Sequence, residues 1–146
     1  MISDEQVRRI ALFFFLSLMD EKAALQASDK AVAQLKSKNE SALDDQALIR
    51  VLWQNFEQSA KQMDRRPARG APETSWASSS PVSFRPWIKF HQEAGKNELV
   101  AVLLSRVLGF KEESIASGLG VSLGTARHRI SKGMRLLSAH VKRERA

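Results

Sequence analysis

The sequence predicts an all-α protein of two small helical domains joined by a linker, and three observations carry that reading. Outside residues 67–85, apolar residues recur at three- and four-residue spacing, and no stretch alternates with the two-residue period of a half-buried strand. All four prolines fall between residues 67 and 86, beside a serine cluster and Gly70, where helical periodicity stops. Charge divides at the same place. Residues 1–84 carry eleven basic and eleven acidic side chains, whereas residues 85–146 carry twelve basic and five acidic ones and all three histidines. The net charge of +7 therefore belongs to the C-terminal part alone. A basic domain joined to a neutral one points to a polyanion partner at one end and a different task at the other.

The first helix is expected over residues 4–19, with Ser3 as its N-cap. Its apolar run "IALFFFLSLM" follows Arg8 and Arg9, as in a signal peptide. Asp4 and Glu5 precede the arginines, and Asp20 and Glu21 close the run. It is also shorter than the roughly 20 residues a membrane helix needs. A core helix, apolar on nearly every side, is the better reading. The second helix opens on Asp20 with acids in its first turn and closes on lysines, which complements the helix dipole. Ala24, Ala27, Ala31 and Leu35 form a small-residue stripe that lets a partner approach closely. In the third, "DDQALIRVLWQNFEQSAKQM", Leu48, Val51, Leu52 and Phe56 share one face, with Ile49 and Trp53 on the flank. The adjacent acids Asp44 and Asp45 read as helix capping.

Residues 67–85 read as a Pro/Ser-rich linker. Trp76 within it reads as a local anchor rather than part of a free tether. Beyond it, Pro86 suits a first helical position and Gly95 a stop. Asn97 can cap a helix whose buried stripe is Leu99, Val102, Leu103 and Val107, ended by Gly109. A short helix "KEESIASG", a turn containing Gly120, and a longer basic helix starting after Ser122 make a helix-turn-helix.

At 100° per residue, Leu123, Ala126, Ile130, Met134 and Leu137 of the last helix fall in one sector and are expected to face the core. Thr125, His128, Lys132 and Arg135 lie opposite, beside Ser131 and Gly124, with Arg127 and Arg129 on the two edges. Hydrogen-bonding groups at the centre and arginines on the rims suit a helix in a DNA major groove, the centre reaching base edges and the rims phosphates. Ser122 and Thr125 stand at the helix N-terminus, where free N–H groups and the dipole favour phosphate. A basic face alone is usually only solvated; the preceding short helix and turn are what favour DNA. The candidate DNA-binding residues are Ser122, Thr125, Arg127, His128, Arg129, Lys132 and Arg135.

The stretch "ELVAVLLSRVLGFKEESIASGLGVSLGTARHRISKGMRLL" resembles region four of bacterial sigma factors, particularly the small extracytoplasmic-function type. Ile115, Ala116, Leu119, Gly120, Val121, Ser122, Gly124, Thr125, Arg127, Arg129, Ile130 and Leu137 meet the family pattern. The resemblance implies a helix that reads a minus-35 promoter element, in a domain that also touches RNA polymerase. Ser114 stands where the family usually has a second glutamate, which commonly pairs with the arginine matching Arg129. Gly118 replaces an aliphatic residue, at a cost of about 1 kcal/mol relative to alanine in a helix. Residues 1–66 follow the outline of sigma region two, whose second helix binds the polymerase clamp. That implies polymerase contacts around Gln26, Asp29, Lys30 and Ala33, although Leu25 and Gln26 replace the family's acidic pair, Asp29 its glutamine and Val32 its phenylalanine.

The expected organisation is thus a sigma-region-two-like bundle (1–66), a linker (67–85) and a sigma-region-four-like helix-turn-helix domain (86–146). The expected partners are double-stranded promoter DNA, core RNA polymerase and an anti-sigma or other regulatory protein, in the cytoplasm and without membrane insertion. The alternative is a sigma-like regulator or mimic whose N-terminal bundle serves dimerisation or signal binding. An enzyme is not expected. The chain has no cysteine, only scattered histidines, no phosphate-cradling glycine loop and no metal-ligand spacing, so neither cofactor nor metal is anticipated.

Overall fold

A computed structural model of the chain describes residues 2–37, 44–65 and 85–145. Among these are seven helices and no strand: α1 (Asp4–Leu18), α2 (Glu21–Ser37), α3 (Asp45–Arg65), α4 (Arg85–Glu93), α5 (Lys96–Val102), α6 (Glu112–Leu119) and α7 (Leu123–Arg145). A π-helical turn, Leu103–Val107, continues α5. The stretch that reads as a linker, with Trp76, lies outside the described residues except for Arg85, which opens α4.

Helix starts follow the local chemistry. Ser3 and Gln6 form a reciprocal capping box at α1. The Asp20 carboxylate accepts the Ala23 N–H at 3.1 Å, and Asp44 accepts the Ala47 N–H at 2.7 Å. α1 and α2 pack against each other, and Ala23, Ala24, Ala27 and Ala31 of α2 are buried and present almost no bulk, which lets the helices approach closely. Phe13 and Phe14 are fully buried, edge to face at 5.1 Å, and Phe13 reaches Phe56 of α3 at 6.3 Å. Leu12, by contrast, is exposed, so α1 is not enclosed on every side. No helix among the described residues is long and apolar enough to cross a membrane.

On α3, Leu48, Val51, Leu52 and Phe56 are buried as expected. Ile49 departs from expectation. The sequence pattern puts it on the flank with Trp53, yet it has no exposed surface, because α6 of the helix-turn-helix lies against it. Buried Asn55 ties α3 to α2 by donating to the Gln34 side chain at 3.0 Å.

The C-terminal helices correct the expected boundaries. The helix before Gly95 does end there, at Glu93, but Gly95, with φ −67° and ψ 154°, also serves as the N-cap of α5. Asn97 lies inside α5 and does not cap it. Leu99, Val102 and Leu103 are buried, but Val107 is exposed. The cause is the π turn, where Leu108 N–H bonds to Leu103 O and the wider turn rotates Val107 off the stripe. Gly109, at φ +74°, ends the segment as anticipated.

The N- and C-terminal helices share one connected core. The last carbonyls of a helix have no intrahelical partner, and at the end of α1 the other half supplies them. Trp87 Nε1 donates to Leu16 O at 2.9 Å, and His91 Nε2 lies 2.7 Å from Ser17 O. A carbonyl only accepts, so the His91 proton is on Nε2. Desolvation lowers the His91 pKa more than the Ser17 bond raises it, which keeps the ring neutral at pH 7. Arg9 donates to Leu108 O at 2.9 Å and sets its guanidinium 4.2 Å from the Phe110 ring centroid.

Candidate nucleic-acid interface

The turn between α6 and α7 is built from backbone requirements. Gly120 adopts φ +72° and closes α6, with Val121 N–H bonding to Ala116 O at 3.0 Å. Ser122 then accepts the Thr125 N–H at 3.1 Å and donates its own hydroxyl to Thr125 Oγ1 at 2.9 Å. These bonds fix the first turn of α7 and its direction out of the helix-turn-helix.

The rotation of α7 about its axis follows from its buried side. Ala126 and Ile130 are buried, and Met134 and Leu137 pack against the core while half exposed. Leu123 is only half buried and is not among the core-packing residues, because it is the first residue of the helix. Gly133 joins the buried side, which the sequence pattern does not indicate. A Cβ there would stand 2.4 Å from Val102 Cγ2 and 3.0 Å from Glu98 O, so α7 crosses α5 in direct backbone contact. His140, 2% exposed, closes the far end through Glu93, with Nε2 3.0 Å from Oε2.

Opposite this seam, Ser122, Gly124, Thr125, Arg127, His128, Ser131, Lys132 and Arg135 are all exposed. They form a strip about 20 Å long at 1.5 Å per residue. Arg129 is half buried on the edge that faces α5. Two carboxylates brace the strip. Glu112 of α6 lies 3.5 Å from Arg127, both exposed, so this pair contributes roughly 0–1 kcal/mol. Glu98 of α5 lies 3.2 Å from Lys132 and has a side chain only 19% exposed. Burial pushes the Glu98 carboxyl up, but its own backbone hydrogen bond, Lys132 and the charge of Arg129 outweigh that and hold it below the usual glutamate value. Ser114 carries no carboxylate; in this chain Arg127 and Lys132 are braced by Glu112 and Glu98. Neither partner is legible in the sequence, because each pair joins different helices.

The lowered Glu98 pKa sets a pH dependence. The pair contributes stability above the ordinary glutamate pKa of about 4.3 and loses it as pH falls through the lower folded value. An NMR titration of the Glu98 carboxyl is expected to show a midpoint below the ordinary value, moved upward by Lys132→Ala. A midpoint at or above the ordinary value in the unaltered chain contradicts this bracing.

On α2, Gln26, Asp29, Lys30 and Ala33 are exposed along one face with Leu25, itself half exposed. Val32 packs partly buried against the core. No group of three or more His, Cys, Asp or Glu side chains among the described residues could hold a metal ion.

Residues 97–137 match the family model described as sigma-70, region 4. No curated protein matches the sequence. Among solved structures, the fold is similar to that of the sigma factor RpoE of Bartonella quintana, solved in complex with the anti-sigma factor NepR. The TM-score is 0.70 at 15% identity, covering 94% of this chain and 92% of that one.

Proposed function

We propose that this chain is a divergent, small sigma-like factor that binds promoter duplex through α7 and brings RNA polymerase to it. The observation that carries the proposal is the two-sided α7. Its apolar side is locked against α5 and α6, and its basic, hydrogen-bonding side is left open within the region-4 match. Thr125, His128 and Ser131 along the middle suit base edges of a minus-35-type element. Arg127, Arg129, Lys132 and Arg135 suit phosphates, and Ser122 marks the dipole end. The mechanism is binding and positioning; the chain itself performs no bond chemistry. Run-off transcription with core polymerase tests the reading, with promoter-dependent transcripts expected and their absence favouring the rival below.

A second reading has its own observation. The α2 face that would meet the polymerase clamp carries half-exposed Leu25 and single charges in place of an acidic pair. That favours a sigma mimic or regulator that engages DNA or a regulatory protein of the anti-sigma kind without initiating transcription. Polymerase binding through Gln26, Asp29, Lys30 and Ala33 is therefore expected to be weaker than that of an ordinary sigma factor. Asp29→Lys is expected to weaken polymerase capture in a pull-down while leaving duplex affinity unchanged. Unchanged capture would place the polymerase contact elsewhere.

A further inference from the structure

Ser17, next to the last residue of α1, is 2% exposed, and its hydroxyl is buried without a hydrogen-bond partner among the described residues. A helical serine can return its hydroxyl to the carbonyl four residues back, as Ser28 does to Ala24 O at 2.7 Å. Ser17 does not. Its main-chain oxygen is engaged by His91 Nε2 at 2.7 Å, and the hydroxyl is the group left over. Leaving a buried hydroxyl unpaired costs stability, so the space it borders matters.

That space is a cavity of about 200 Å³, partly open to solvent, where α1, α3, α4 and α5 meet. Ser17 lines it together with Phe56, Met63, His91, Lys96 and Leu99. Phe56 is held from two directions, edge to face with Phe13 at 6.3 Å and stacked with Trp53 at 5.7 Å. This wall is therefore fixed before anything enters. Met63 adds a polarisable thioether, which makes favourable contacts with aromatic rings. His91 is neutral and Lys96 is exposed, so the charge on the described lining belongs to the rim and not to the interior.

A mostly apolar concavity with very few polar groups is how small-molecule sites are built. Size then limits the occupant. An apolar cavity of roughly 150 Å³ takes up benzene, so about 200 Å³ admits one ring with a small substituent. A carboxylate would carry unpaired charge into the apolar interior. A neutral hydroxyl would not, and the serine hydroxyl can both donate to it and accept from it.

We propose that this cavity binds a small neutral phenol, with its ring against Phe56, Met63 and Leu99 and its hydroxyl bonded to Ser17 Oγ. No residue of α7 is among the described lining residues, so the site does not depend on the DNA-binding role of that helix.

The test uses the full chain with p-cresol and toluene, which differ only in the hydroxyl. NMR titrations give both affinities for the unaltered chain, for Ser17→Ala and for Ala60→Leu. Ser17→Ala deletes a hydroxyl that holds nothing within the described protein, so the fold is expected to stay intact. Ala60 is buried and borders the same cavity, so leucine there fills it. Both ligands are expected to bind saturably to the unaltered chain, with magnetisation transfer from their ring protons to the Met63 methyl group. Ser17→Ala is expected to lower the ratio of p-cresol to toluene affinity by roughly threefold to tenfold, the range one neutral hydrogen bond supports. Ala60→Leu is expected to abolish saturable binding of both. The proposal is overturned if p-cresol does not bind saturably, which leaves a cavity that takes only water. An unchanged affinity ratio in Ser17→Ala, ring contacts away from Met63, or full binding by a folded Ala60→Leu chain would overturn it equally. If Ala60→Leu does not fold, the affinity ratio and the Met63 contacts still give the answer.

Discussion

Ile130→Ala is expected to destabilise the chain by about 2–5 kcal/mol, whereas His128→Ala, two residues away, should leave stability nearly unchanged. Ile130 is 3% exposed in the seam between α7 and the helices beneath it, so truncation removes methyl groups and leaves a cavity. His128 is exposed on the opposite side and takes no part in that packing. Thermal or urea unfolding of the two variants checks this. If His128→Ala melts as early as Ile130→Ala, α7 is rotated away from the orientation described. Leu123→Ala, at the half-buried first position, should fall between the two.

The second large effect concerns two glycines of the same helix with opposite outcomes. Gly133→Val places a branched side chain where even a Cβ would stand 2.4 Å from Val102 and 3.0 Å from a main-chain oxygen of α5. The valine tip can turn, but the α5 backbone cannot yield without shifting the whole crossing. The expected cost is at least the usual overpacking penalty of about 1–3 kcal/mol. Gly124→Ala, on the open face, would meet only the Ser122 hydroxyl at 3.9 Å. There the gain in helix propensity is expected to raise stability by up to about 1 kcal/mol. Paired unfolding curves decide the matter, and a destabilised Gly124→Ala would contradict the open placement of that position.

These glycines mark where the sequence stops being legible. Helix starts at Ser3, Asp20, Asp44 and Ser122 are readable because a cap is a bond between residues three apart. The rotation of α7 is readable for a similar reason, since Ala126 and Ile130 repeat with the period of the helix that buries them. Gly118 and Gly133 look like weaknesses in a helix, because their justification lies in the side chains of Ile49 and Val102 on other helices. Glu98 and Glu112 are silent in the sequence for the same reason, as charge spacing along one helix says nothing about a partner on another. Val107 fails differently. Its place in the apolar stripe assumes an α-helix throughout, and one π turn displaces it. Gly95 and Asn97 have the composition of a stop and a cap, yet the start of α5 lies between them.

Sequence and structure put the candidate DNA residues on one face. The exception in degree is Arg129, which shares its charge with Glu98 at the edge. Asp29 and its neighbours on α2 are equally legible as an exposed face, though their occupant is a matter of proposal.

The claim that α7 is a duplex-binding surface is tested most directly by titrating the full chain onto a DNA duplex at several salt concentrations. Neutralising phosphates releases counterions, so the logarithm of the binding constant should fall linearly with the logarithm of salt. Lys132→Ala and Arg127→Ala should each weaken binding and make that slope shallower by about 0.9 for every phosphate no longer neutralised. A binding constant with no salt dependence, or a slope that neither substitution changes, would contradict the assignment of this helix as the DNA-binding element.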